Sequence, residues 1–213
     1  GILYSNLNTA YGGVLDADIR LDDTVVVFGQ GLVGLLVTQY LRRTAARRII
    51  TVERIPARQQ LSTQLGADEC LDPAQVDVAL AVRERTSGRG ADVVIEASGS
   101  YAALQEAIRT AAPSTTVVAL SWYGGTGGAL ALSDEFHHNR ITLRSSQVGG
   151  IAPELSATHS LSRRAEQIKD WFAELELDPL LTTFIPFAEA GGAYQLIDQH
   201  GEDAIQVVLR YED

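Results

Sequence analysis

The stretch "VVVFGQGLVG", Val25 to Gly34, decides how the chain is read. Val25 to Phe28 are apolar without interruption, β-branched and then aromatic, the pattern of a strand buried on both faces. Gly29, Gly31 and Gly34 follow at once as G-x-G-x-x-G, and from Leu32 to Leu41 the apolar residues recur at helical spacing. Each glycine has its own physical reason. Gly29 permits a tight turn, Gly31 leaves room for a diphosphate against the backbone, and Gly34 lets the helix approach closely. The helix start adds free N–H groups and a favourable field for the same anion. A dinucleotide clamp is expected, and its alternative is an ordinary glycine-rich turn, which the flanking strand and helix disfavour.

Downstream, "RRIITVE" (Arg47 to Glu53) supplies a second strand, and Pro56 stands where a helix begins without losing a needed hydrogen bond. Glu53 ends that strand about 20 residues beyond the glycines, where a carboxylate accepts hydrogen bonds from both hydroxyls of an adenosine ribose. A 2′-phosphate there would meet a like charge, which favours NAD over NADP. Arg54 and Arg58 complicate the choice, because a guanidinium holds a 2′-phosphate, packs beside a plain ribose or is simply solvated.

The alternation continues with helices over 57–65, 76–86 and 102–111, and with strands at 69–71, "DVVIEA", "TTVVAL" and "ITLRSS". Six strands joined by such crossovers predict an α/β fold, a doubly wound, six-stranded parallel Rossmann sheet. Ligands of such sheets lie at the carboxyl ends of the strands, here "EASGS", "ALSWYGG" (Ala119 to Gly125) and "SSQVGG". Ser98 and Gly99 are expected near the ribose, and backbone groups of Ser121, Trp122, Ser146 and Val148 near the nicotinamide. Trp122 and Tyr123 have a second reading as a cap on the core or an oligomer contact. A further helix is expected around Tyr11 to Asp18. Beyond Gly150 follow a helix over 162–175, the strand-like "LLTTFIPF", a short helix over 189–198 and a final strand "AIQVVLRY".

Composition narrows the function. With 213 residues and 46% hydrophobic content the chain fills a sizeable core, and no apolar run approaches the length of a membrane span. A formal net charge of -10 opposes a phosphate backbone, so nucleic acid is an unsuitable partner. One cysteine, Cys70, excludes an internal disulfide framework and makes the cytoplasm the default compartment. Cys70 reads as a small core side chain, and the adjacent His137 and His138 as a helix-end or surface pair.

"NTAYGGVLDADIRLDDTVVVFGQGLVGLL", "TVERIPARQQLSTQLGADE", "ADVVIEASGS" and the tail "LDPLLTTFIPFAEAGGAYQLI" together resemble the medium-chain dehydrogenase/reductase family, in its zinc-dependent alcohol and polyol branch. The resemblance implies that Glu53 is the acidic ribose ligand, that Arg58 helps fix the same ribose and that Thr9 lies near the nicotinamide ring. It implies residues 1–20 as a junction, 21–175 as the dinucleotide-binding domain, and 176–213 as a segment returning toward a catalytic domain. That domain and its zinc ligands have no counterpart here, so zinc is expected only in an N-terminal domain outside the chain. The expected function is the NAD-binding portion of an oxidoreductase moving hydride between a nicotinamide cofactor and a secondary alcohol, polyol or related hydroxyl compound. No residue of the chain is expected to be catalytic, and by itself the chain is expected to bind NAD without oxidising an alcohol. A zinc-independent quinone or enoyl reductase and a non-catalytic NAD-sensing or assembly domain are the alternatives. The family also implies a homodimer through the strand at 141–145.

Overall fold

In a computed structural model describing residues 1–124, 128 and 130–211, the run at Val25 lies in the middle of a six-stranded parallel sheet. The strands are β1 (Thr24–Phe28), β2 (Arg48–Val52), β3 (Glu69–Leu71), β4 (Val93–Glu96), β5 (Thr116–Ala119) and β6 (Thr142–Ser145). Their order is β3-β2-β1-β4-β5-β6, so the sheet reverses direction of growth between β1 and β4. Ligand crevices form at such a switch point.

The uninterrupted apolar run has its cause in two cores. Val25 and Val27 pack in one cluster with Leu7, Leu35 and Ile168, while Val26 and Phe28 pack in another with Val82, Leu104 and Ile108. Neither face of β1 meets water, and each of these side chains contributes on the order of 1.5–3 kcal/mol of burial. The first cluster is covered by α1 (Tyr4–Asp16), α2 (Leu32–Leu41) and α6 (Leu161–Trp171), the second by α4 (Val78–Arg85) and α5 (Tyr101–Thr110).

Several boundaries differ from the sequence expectation. The first helix begins at Tyr4 rather than near Tyr11. Its opening is polar and its middle holds Gly12 and Gly13, which weakens the local signal, yet Leu3, Leu7 and Ala10 form a buried stripe against α2. Packing overrides propensity there. The glycines let other neighbours close on the same helix: a Cβ at Gly13 would stand 2.7 Å from a methyl of Leu120, beyond β5. The helix α3 (Pro56–Gln64) starts on the proline itself, and α4 starts at Val78, because Asp77 caps it by accepting from the Leu80 N–H at 3.0 Å. The α6 helix ends at Trp171, where the N–H groups of Glu174 and Leu175 both turn back to the Trp171 carbonyl.

The tail makes its own two-stranded parallel sheet from β7 (Thr183–Pro186) and β8 (Val207–Arg210), joined through α7 (Ala190–Gln199). The stretch leading into it is fastened to α2 by reciprocal bonds, Gln39 Nε2 donating to the Glu176 carbonyl at 3.0 Å and the Glu176 N–H to Gln39 Oε1 at 2.8 Å.

Candidate cofactor site

Because all six strands of the main sheet run parallel, their carboxyl ends share one edge, and the glycine turn stands at its centre. Gly29 has φ of +83°, and a Cβ there would also stand 2.7 Å from the backbone of Ser98, so both conformation and space demand glycine. A Cβ at Gly34 would stand 1.9 Å from the Gly29 carbonyl oxygen, so the third glycine closes the turn onto its own helix. At Gly31 the same test meets nothing within 4 Å. The second glycine faces open space at the amino end of α2, whose first turn carries no acidic side chain, an arrangement of the kind that accommodates an anion.

A cleft of about 420 Å³ opens beside this turn, lined by Gly29, Gly31, Glu53, Arg54, Arg58 and Ser98, with apolar walls from Val52, Ile55, Pro73, Ala102 and Ala103. Glu53 is only 9% exposed. Its Oε2 accepts from the Gln30 N–H at 2.7 Å, and its Oε1 from the Arg54 and Ile55 N–H groups at 2.7 and 3.0 Å. A carboxylate offers about four acceptor positions. One therefore remains on Oε2, enough for a single hydroxyl rather than the expected two unless a backbone bond yields. Arg54 is exposed at the rim. Arg58 turns its Nη2 to the carbonyls of Gly201 and Ala204, tying the cleft wall to the tail, while its buried Nε has no hydrogen-bond partner.

The nicotinamide-side expectations are placed as follows. Ser98 lines the cleft, and Gly99, with φ of +74°, lies against the Trp122 carbonyl. Ser121 Oγ approaches the Glu96 carbonyl at 3.4 Å, and the Trp122 side chain is 91% exposed, so it caps no core. Gly125, at the end of the quoted "ALSWYGG", lies outside the described residues. Ser146 donates from its N–H to the Ala119 carbonyl and from Oγ to Asp16 at 2.6 Å. Val148 is exposed, its carbonyl accepting from Arg164. Thr9 lies within α1, outside the cleft lining, and donates its hydroxyl to the Ser5 carbonyl.

Three residues in or against this edge, two of them inside stretches the sequence pointed to, were given no individual role by it. Gln30 is fully buried inside the glycine turn, its Nε2 donating to the Gly29 carbonyl and its Oε1 accepting from Thr38. Glu96 is fully buried and accepts from the Ser98 N–H at 2.7 Å, the Ser98 hydroxyl, the Gly99 N–H at 3.4 Å and the Tyr123 hydroxyl. Burial, and then the adjoining Glu96 carboxyl, push the Tyr123 phenol well above its ordinary range. Arg164 is the third. The available signal was a charge closing the apolar "VVIE"; Gln30 and Arg164 carried none.

Residues 33–165, more than half of the chain, match the family model for zinc-binding dehydrogenase. The chain belongs to the zinc-binding dehydrogenase family. It is 31% identical over 217 residues to the D-guloside 3-dehydrogenase of Escherichia coli strain K12, covering 99% of this chain and 61% of that protein. It is 35% identical over 153 residues to the (R,R)-butanediol dehydrogenase of Bacillus subtilis strain 168, covering 71% of this chain and 41% of that one. ECK1772, an Escherichia coli oxidoreductase/dehydrogenase of unknown specificity, superposes with a TM-score of 0.83 at 18% identity over 99% of this chain and 57% of its own, which shows the shared fold. This zinc-binding dehydrogenase chain thus spans about three fifths of the length of its D-guloside relative.

Among the described residues no group of three or more His, Cys, Asp or Glu side chains is placed to hold a metal ion, so no zinc chemistry is assigned to them. His137 and His138 are exposed, with His138 Nδ1 against the Asp134 carbonyl at 3.0 Å. Cys70 is half-buried, and burial pushes its thiol up, away from nucleophilic character. No helix of the described residues is long and apolar enough to cross a membrane.

Proposed function

We propose that this chain holds NAD as the cofactor-binding portion of an oxidoreductase acting on a secondary alcohol, polyol or related hydroxyl compound. The observation that carries it is that Gly31, open at its Cα, and Glu53, with an acceptor position left, line the same cleft. The diphosphate is assigned to the amino end of α2, one adenosine ribose hydroxyl to Glu53, and the adenine to the walls at Ile55, Pro73 and Ala102. Ser98 and Gly99 are assigned to the second ribose, and the backbone beyond β5 and β6, including Ser121, Trp122, Ser146 and Val148, to the nicotinamide, with Thr9 behind it. When bound, NAD supplies the hydride acceptor; the residues named above bind and orient it. The names of the D-guloside and butanediol relatives support a hydroxyl-bearing substrate.

Glu53 favours NAD over NADP, because its charge opposes a 2′-phosphate, and Arg54 at the rim is too exposed to offset it fully. Residues 176–213, with their separate β7–β8 sheet, are assigned to a segment returning toward a catalytic region outside this chain, where zinc would also belong. The cytoplasm is the compartment that suits a lone free thiol. Calorimetric titration with NAD and with NADP tests the reading: tighter NAD binding is expected, and equal or absent binding of the two overturns it.

A homodimer through β6 goes with this reading, since β6 is an edge strand and Leu143 is 40% exposed on it. Ile141 is only 5% exposed and packs in the core, so the informative change is Leu143→Lys. Light scattering of a dimer that Leu143→Lys dissociates is the expected result, and a wild-type monomer at high concentration rejects it.

A further inference from the structure

Arg164, on α6, is 4% exposed, and no ion pair among the described residues includes it. Desolvating a guanidinium without a counter-ion is costly, and an apolar side chain of similar volume would pack between α6 and α1 without that cost. What an apolar side chain cannot do is donate. Arg164 Nη1 donates to the Gly150 carbonyl at 3.2 Å and Nη2 to the Val148 carbonyl, so the planar fork grips two carbonyls of one short loop. Gly12 of α1 makes the room, since a Cβ there would stand 3.2 Å from Nη1.

The gripped loop follows β6 on the same sheet edge as the glycine turn. Its start is fastened separately, by the Ser146 hydroxyl on Asp16 and by Arg144, whose Nη1 donates to the Asp16 carbonyl. Between these anchors Gln147, Val148, Gly149 and Gly150 are exposed, and few bonds within the loop define its height. From β1 to β6 the sheet takes three steps of about 4.8 Å, so the loop stands roughly 14 Å from the diphosphate seat, on the side opposite Glu53. An extended dinucleotide anchored at both the turn and Glu53 sends its nicotinamide half in that direction.

We infer that Arg164 is a positioning residue for the nicotinamide half of the cofactor: its buried fork sets the height of the loop after β6, and hence of the backbone groups that meet the ring. It touches no ligand itself, and the inference rests on the dinucleotide reading above. It sets Arg164 apart from residues that merely stabilise the domain, because its effect is confined to one end of the ligand.

The test compares NADH with ADP-ribose, which lacks the nicotinamide, by calorimetry and by NADH fluorescence on the full chain. Arg164→Met is expected to weaken NADH at least about tenfold while ADP-ribose changes less than about twofold, and Arg164→Lys, which keeps the charge but loses the fork, to fall between wild type and Met. Gly12→Ala, which crowds Nη1 while leaving the arginine in place, is expected to weaken NADH in the same selective way and keeps the test open if Arg164→Met fails to fold. Equal loss for both ligands in the folded variants, or no loss for either, overturns the inference while leaving the dinucleotide reading intact. A wild-type chain that binds neither ligand overturns both.

Discussion

Glu53 and Glu96 stand at or just beyond the carboxyl ends of the two strands that flank β1, the same residue type in matching topological places, and their surroundings give them opposite work. Glu53 is held by three backbone N–H groups and keeps one acceptor position beside the cleft. Glu96 is fully buried and has four donors, two of them hydroxyls, which fill its capacity. The first has an acceptor position free, which is what the proposed ribose contact requires. The second joins the loop after β4 to the loop after β5 through Tyr123, and a ligand has nothing left to donate to. The number of donors already in place, rather than the presence of a carboxylate, separates a carboxylate with spare acceptor capacity from a filled one at this edge.

The largest test of that contrast is Glu96→Ala. It strips the acceptor from the Gly99 N–H and the Tyr123 hydroxyl as well as from Ser98, and is expected to cost about 3–4 kcal/mol of stability in urea unfolding. A loss of cofactor affinity without a loss of stability would erase the distinction between the two glutamates. Glu53→Ala comes next, with about a 10- to 100-fold loss of NAD affinity, equivalent to about 1.4–2.8 kcal/mol, and little change for NADP, so that the preference narrows. Unchanged affinity for both cofactors in calorimetry would remove Glu53 from the site. The smallest effect is expected from Tyr123→Phe, about 1–1.5 kcal/mol at neutral pH.

That last variant carries a signature in pH. Burial and Glu96 raise the folded-state pKa of Tyr123 above its unfolded value of 10.0, so the neutral phenol is favoured by folding. Its contribution is fully present below about pH 10 and is lost as pH rises beyond it, when the unfolded tyrosine ionises and the folded one does not. Urea unfolding at about pH 8 and about pH 11 should therefore show a steeper alkaline loss in wild type than in Tyr123→Phe. Parallel losses would mean that the Tyr123–Glu96 bond does not span the two loops in solution.

Much of the fold was legible because it rests on local rules. A β-branched run with no polar alternation suits only a strand covered on both faces, and the helix expected over Leu32–Leu41 has those same bounds in the structure. The tight turn expected of Gly29 is present, and Gly34 is required by the Gly29 carbonyl rather than by the sheet. The start of α1 was missed because its buried stripe earns its stability from α2, which no short window contains. Ile141 read as the first residue of the edge strand at 141–145, yet β6 begins at Thr142 and Ile141 packs in the core just before it.

Sequence alone determined the succession of strands and helices along the chain, the tight turn at Gly29, and the place of Glu53 at the end of β2, since each follows from backbone sterics and the periods 2.0 and 3.6. Tertiary structure alone decided which polar groups are already satisfied. Glu96 meets Tyr123 across 27 positions of chain, Arg58 meets the Ala204 carbonyl across 146, and Arg164 reaches back to Val148 across 16. A side chain's capacity to bind a ligand is what remains after such partners are counted, and partners that far along the chain are set by how the layers pack, which no local pattern records.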